Sequence, residues 1–188
     1  ARFSPRGKYL AAGFDDGTIQ VFDPKKKELV STLKPESSGA SEASSVSGLY
    51  MKRKGNNLII FSASRNGTIQ KRLALQGTVV RKKTFDQPVN AFIPYGENPG
   101  KRGSGKALFS KGGELLLIDW DSMPVQSLLD SKYRAIDHIV TGPNGRMVAI
   151  AGKLAEETGK SSVTILERAS KGPAKGSGPP SSQRDPKP

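Results

Sequence analysis

The chain has 188 residues, 35% of them hydrophobic, with 21 glycines, 13 prolines and no cysteine. This composition suits many short elements joined by tight turns better than a few long helices, and it excludes disulfides and thiolate metal sites. The formal net charge is +13 with a single histidine, His138, which argues against a histidine metal or catalytic cluster and makes acidic partners, RNA among them, a natural match. No stretch approaches the ~18 consecutive apolar residues of a membrane-spanning helix. The opening residues Ala1-Arg2-Phe3-Ser4-Pro5 lack the apolar run of a signal peptide. An intracellular setting, cytoplasm or nucleus, is the simplest expectation.

Taken in chain order, the predicted elements are short strands in groups. Ala1-Arg2-Phe3 leads through Pro5-Arg6-Gly7 into the apolar strand Tyr9 to Phe14. The turn Asp15-Asp16-Gly17 then opens a third strand, Ile19-Gln20-Val21-Phe22, and Glu28–Leu33 makes a fourth. The second group has Gly48-Leu49-Tyr50, then Leu58-Ile59-Ile60-Phe61, the turn Arg65-Asn66-Gly67, a strand from Ile69, and an outer strand over residues 77–85. The third has Asn90-Ala91-Phe92-Ile93, Ala107-Leu108-Phe109, the turn Lys111-Gly112-Gly113, Leu115 to Ile118, and residues 124–129. The fourth has His138-Ile139-Val140, Met147 to Ile150 and Val163 to Leu166, with a longer polar loop over residues 153–160. Asp-Gly, Asn-Gly and Gly-Gly supply the positive φ that tight hairpin turns require.

The groups repeat. Gly17-Thr18-Ile19-Gln20 recurs identically as Gly67-Thr68-Ile69-Gln70, and Gly113-Glu114-Leu115-Leu116 and Ser161-Ser162-Val163-Thr164 fall in the same frame. The spacings of 46 to 50 residues are those of four-stranded propeller blades with enlarged loops. The run Phe3-Ser4-Pro5-Arg6-Gly7-Lys8-Tyr9-Leu10-Ala11-Ala12-Gly13, continued by Asp15-Asp16-Gly17-Thr18-Ile19-Gln20-Val21-Phe22-Asp23, resembles a WD repeat over its whole length. The position of the family's Trp-Asp pair holds Phe22-Asp23, and in later copies Arg72-Leu73, Ile118-Asp119 and Leu166-Glu167. Trp120-Asp121 spells the dipeptide two residues late and is read as coincidence. The family's Gly-His pair is absent, so apolar packing must replace part of its hydrogen-bond network.

The resemblance implies an all-β fold of about four antiparallel blades, over residues 1–34, 46–86, 88–130 and 135–168, the last incomplete. Residues 169–188 hold no apolar side chain larger than alanine, so they are expected to form a disordered basic tail. A chain that opens on a first strand and ends on a third is what the C-terminal part of a larger, seven-bladed propeller would present. Leu10, Ile19, Val21, Ile59, Ile69, Leu108, Leu115, Leu117, Val148, Val163 and Ile165 are expected to be buried between blades.

No enzyme emerges. Gly100 to Lys106 fits part of a phosphate-binding loop, but Ala107 stands where the Mg²⁺-binding hydroxyl would be and the loop opens a strand instead of a helix. Asp15-Asp16 and Asp119 sit at strand ends, where acids ordinarily accept backbone hydrogen bonds. No cofactor, metal, membrane or small-molecule substrate is expected. The basic clusters Lys25-Lys26-Lys27, Lys52-Arg53-Lys54, Lys71-Arg72, Arg81-Lys82-Lys83 and Lys101-Arg102 are expected on the surface, as a solubilising coat or as contacts to an acidic partner. Two functions stay open: a scaffold binding other proteins, and a ribonucleoprotein component touching RNA phosphates through these clusters. Clusters gathered at one end of the blades favour the second; a spread around the rim favours solubility.

Overall fold

The computed structural model describes residues 1–35, 44–95, 105–119, 122–129, 132–142, 147–156 and 159–167. The 169–188 segment, Lys101, Arg102, Trp120 and Asp121 lie outside them. The described residues form fifteen strands and no helix. Sheet 1 holds β1 (Arg2–Phe3), β2 (Leu10–Gly13), β3 (Ile19–Asp23) and β4 (Glu28–Leu33). Sheet 2 holds β5 (Val46–Lys54), β6 (Asn57–Ser64), β7 (Thr68–Leu73) and β8 (Val79–Thr84). Sheet 3 holds β9 (Phe92–Tyr95), β10 (Lys106–Lys111), β11 (Glu114–Asp119) and β12 (Val125–Leu129), and sheet 4 holds β13 (Tyr133–Thr141), β14 (Met147–Leu154) and β15 (Ser161–Glu167). Every pairing is antiparallel and sequential.

Hairpin chemistry fixes these meanders. The side chain of Asp16 accepts hydrogen bonds from the Thr18 amide and hydroxyl, both at 2.8 Å, and Asn66 Oδ1 accepts one from the Thr68 amide at 3.1 Å. Between each pair sits a glycine at positive φ, Gly17 at 79° and Gly67 at 84°. The repeated Gly-Thr-Ile-Gln is therefore an Asx-type turn feeding a strand. At Gly67 a β-carbon would stand 2.5 Å from the Phe85 carbonyl oxygen, so only glycine fits.

The sheets pack face to face in chain order, and the period of two along each strand decides which residues meet. In β6, Leu58 and Ile60 face sheet 1 and join Ala11, Ile19, Val21 and Leu33, whereas Ile59 and Phe61 face sheet 3 and join Phe92, Phe109 and Ile118. In β10, Phe109 turns to sheet 2 and Leu108 to sheet 4, where it meets Ile136, Ile139, Val148 and Ile150. A strand buried on both faces is apolar without interruption, which explains Leu58-Ile59-Ile60-Phe61 and Leu115-Leu116. The innermost strands β1, β5, β9 and β13 are neighbours in turn. At β5–β9 the approach is so close that a β-carbon on Gly48 would lie 2.6 Å from Phe92 Cβ. Stacked four-stranded antiparallel meanders with neighbouring first strands are the blades of a β-propeller.

The outer sheets depart from the expected burial. Ile19, Val21, Ile59, Ile69, Leu108, Leu115 and Val148 are buried, and Leu10 and Leu117 are half-buried. Val163 and Ile165 are instead 67% and 69% exposed. Their face of β15, together with Val140 and Met147, points away from sheet 3, and no described residue covers it. The opposite face of β15 packs inward through Leu166 and through Thr164, whose hydroxyl bonds that of the buried Tyr133.

Candidate interaction surfaces

A meander places its first and third reversals at one end of the sheet, and its second reversal with the inter-sheet link at the other. At this second end, backbone hydrogen bonds tie the second turns to the adjoining links, and two of them, Val46 to Phe14 and Ile136 to Gly112, join neighbouring sheets. The amide of Val46 donates to the Phe14 carbonyl, Arg65 to Ser45, Phe85 to Gly67, Gly112 to Pro88 and Ile136 to Gly112, at 2.8 to 3.2 Å. Loops held this way are pre-organised. Between sheets 3 and 4 they border an open groove of about 620 Å³, lined by Gln87, Pro88, Asn90, Gly112, Arg134, Ala135 and Lys153. The pairing of β13 with β14 slips between Tyr133 and Ala135, leaving Arg134 exposed at the bulge beside Lys153. A second recess of about 540 Å³ lies where the inner strands converge and includes Arg2, Arg65, Asp137 and the exposed His138. Here the Ser47 hydroxyl is buried without a hydrogen-bond partner.

The first end is different in charge. The β1–β2 turn carries Arg6 and Lys8, the β3–β4 turn carries Lys25, Lys26 and Lys27, and the end of β5 beside the β5–β6 turn carries Lys52, Arg53 and Lys54. The carboxylates in these turns are Asp23 and Glu28. Asp23 is buried and accepts the amides of Lys25 and Lys26 at 3.1 and 3.2 Å, so its charge is engaged by the turn. At the opposite end acids and bases are mixed: Asp15, Asp16, Asp86, Glu114 and Glu156 stand among Lys34, Arg65, Lys111, Lys132, Arg134, Lys153 and Lys160. There Lys111 bridges Asp86 at 3.3 Å. The Thr18 amide and hydroxyl hold the Asp16 carboxyl below its usual range. Burial pushes the Tyr50 phenol up.

The basic clusters thus separate into three groups. Lys25, Lys26, Lys27, Arg53 and Lys54 are exposed at one end, with Lys52 half-buried behind them. Arg81 and Lys82 are exposed on the outer strand β8, while Lys83 reaches across to the Met123 carbonyl at 3.4 Å. Lys71 and Arg72, expected on the surface, are buried at 6% and 3% exposure. The reason is that β7 lies between two sheets. The Lys71 ammonium sits over the Phe61 ring, 5.7 Å from its centroid, on the sheet 3 side. Arg72 points the other way, donating to the Lys34 carbonyl at 2.7 Å and to the Gln70 side chain. These two side chains join blades and are not surface contacts. Sequence reasoning missed Arg134 and Lys153, because their meeting depends on a register slip that no local pattern records.

No family model and no curated protein matches this chain. Solved structures do. A chain in the crystal structure of the mitotic checkpoint complex superposes with a TM-score of 0.62 at 14% identity, over 80% of this chain and 43% of that one. The β-propeller domain of Cps50 (Swd1) from Myceliophteria thermophila gives a TM-score of 0.62 at 18% identity, over 88% of this chain and 50% of that one. The likeness is one of fold, a β-propeller arc, and the chain spans half or less of the length of each.

Proposed function

We propose that this chain forms part of a β-propeller scaffold that binds other proteins in an intracellular assembly and performs no chemistry of its own. The observation that carries this is the end where the inter-sheet links and second turns are cross-tied by backbone hydrogen bonds. Loops fixed to a rigid core lose little entropy on binding, so such a surface recognises a partner at low ordering cost. The groove between sheets 3 and 4 offers a place for an extended segment, with Gln87 and Asn90 for hydrogen bonding and Arg134 and Lys153 for an acidic side chain. One structurally similar chain comes from a structure of a protein complex, which supports the same role here.

The test is affinity capture with the full chain after nuclease treatment, beside the variant Arg134→Glu/Lys153→Glu. Protein partners that survive nuclease and are lost with the variant would support the reading. Capture that disappears with nuclease, or is indifferent to the groove, would refute it.

A further inference from the structure

The charge of this molecule is segregated in space, and that segregation points to a ligand. Seven exposed cations, Arg6, Lys8, Lys25, Lys26, Lys27, Arg53 and Lys54, stand on two turns and on the end of β5, at one end of sheets 1 and 2. These sheets are adjacent and joined through the Ile19, Val21, Leu33, Met51 and Ile60 core, so the cations are held at the same end of two neighbouring blades. A solubilising coat would gain nothing from uneven placement; interspersed charges serve that purpose. The other end of the same sheets is mixed in charge. We infer that the basic end of blades 1 and 2 is a binding surface for the sugar-phosphate backbone of single-stranded RNA.

The side-chain chemistry favours a phosphate backbone over an acidic protein. The cations sit on two turns and one strand end, spread across two blades, which matches a continuous polyanion better than one or two carboxylates in a pocket. Lysine, a compact charge on a flexible stem, makes up most of the field and contacts phosphates as point charges. These turns carry one aromatic, Tyr9, which is half-buried with the Lys8 ammonium 5.2 Å from its ring centroid. The exposed Phe3 borders the β1–β2 turn, so stacking is limited to a ring at the edge of the field and readout is chiefly of the backbone, with little sequence preference. This surface lies at the opposite end of the sheets from the groove proposed for protein, so either reading can fail without the other.

The experiment is fluorescence anisotropy of the full chain with labelled single-stranded RNAs of unrelated sequence, at about 50 and 200 mM salt. With about five phosphates neutralised on a single strand, affinity should fall about 100-fold between the two salts and differ little between sequences. Lys26→Glu/Arg53→Glu should weaken binding at low salt by tenfold or more. Lys34→Glu/Lys132→Glu, the same change in net charge at the end of mixed charge, should leave it within about twofold. Thermal melts of both variants confirm folding. Absence of binding at 50 mM salt, sequence-selective binding that resists salt, or equal loss in the two variants would each overturn the inference. So would tighter binding of poly-glutamate than of RNA at the same salt, which would make the partner an acidic protein.

Discussion

Ile69 and Ile165 both lie on third strands, Ile69 opposite Ala63 and Ile165 opposite Ala149, yet the stack treats them oppositely. Ile69 is 0% exposed between sheets 2 and 3, and Ile165 is 69% exposed on the outer face of sheet 4. Truncating Ile69 to alanine removes three buried carbons, about 2.4 kcal/mol of transfer free energy at ~0.8 kcal/mol each. Its cluster includes the rings of Phe61 and Phe109, which collapse poorly into a void, so the cavity term should raise the cost to about 3–4 kcal/mol. For a chain of this size that is a fall in Tm of roughly 10 °C. Ile165→Ala, on an open face, should change stability by less than about 0.5 kcal/mol. Urea denaturation followed by circular dichroism, with both variants at equal m-value, measures the difference. A cost below about 1 kcal/mol at Ile69, or comparable costs at both, would show that the strand phase or the order of stacking is wrong.

Further expectations rest on single groups. Gly48→Ala would press its new methyl to 2.6 Å from Phe92 Cβ and 2.9 Å from the Phe92 carbonyl oxygen, and should cost about 1–3 kcal/mol in the same titration; a neutral result would mean that β5 and β9 are not in close approach. Arg72→Ala would leave the buried Gln70 side chain and the Lys34 carbonyl without its donor, for about 2–4 kcal/mol, while Arg81→Ala on the exposed outer strand should be nearly neutral. The Asp16 carboxyl, held low by the Thr18 amide and then by its hydroxyl, is ionised in the folded turn at lower pH than in the unfolded chain. Its contribution is complete above the ordinary aspartate range and is lost as pH falls through the lowered value. NMR titration of the Thr18 amide should show that midpoint, and an ordinary aspartate midpoint would contradict the turn geometry.

Much of this fold was legible because its signals are local. Asp16-Gly17-Thr18 and Asn66-Gly67-Thr68 announce their turns through an acceptor side chain and a positive φ, and alternating apolar residues announce the strands between them. What neighbours a sheet on its far side is not local. The pattern of Val163 and Ile165 is that of Ile19 and Val21, but the second pair meets sheet 2 and the first meets none of the described sheets. Lys71 and Arg72 look like surface charge in sequence and become buried because β7 is sandwiched, each long stem covering apolar surface while its head finds a ring or a carbonyl. The groove residues Arg134 and Lys153 were hidden for a third reason, since their pairing follows from a bulge set by tertiary register.

If the two ends of the blades are distinct binding surfaces, one crossed experiment separates them. Nuclease-resistant protein capture and low-salt RNA binding are measured on the same preparations of Arg134→Glu/Lys153→Glu and Lys26→Glu/Arg53→Glu, each with an unchanged thermal melt. The first variant should lose protein and keep RNA, and the second should lose RNA and keep protein. Loss of both activities in either variant, or of neither in both, would contradict that distinction.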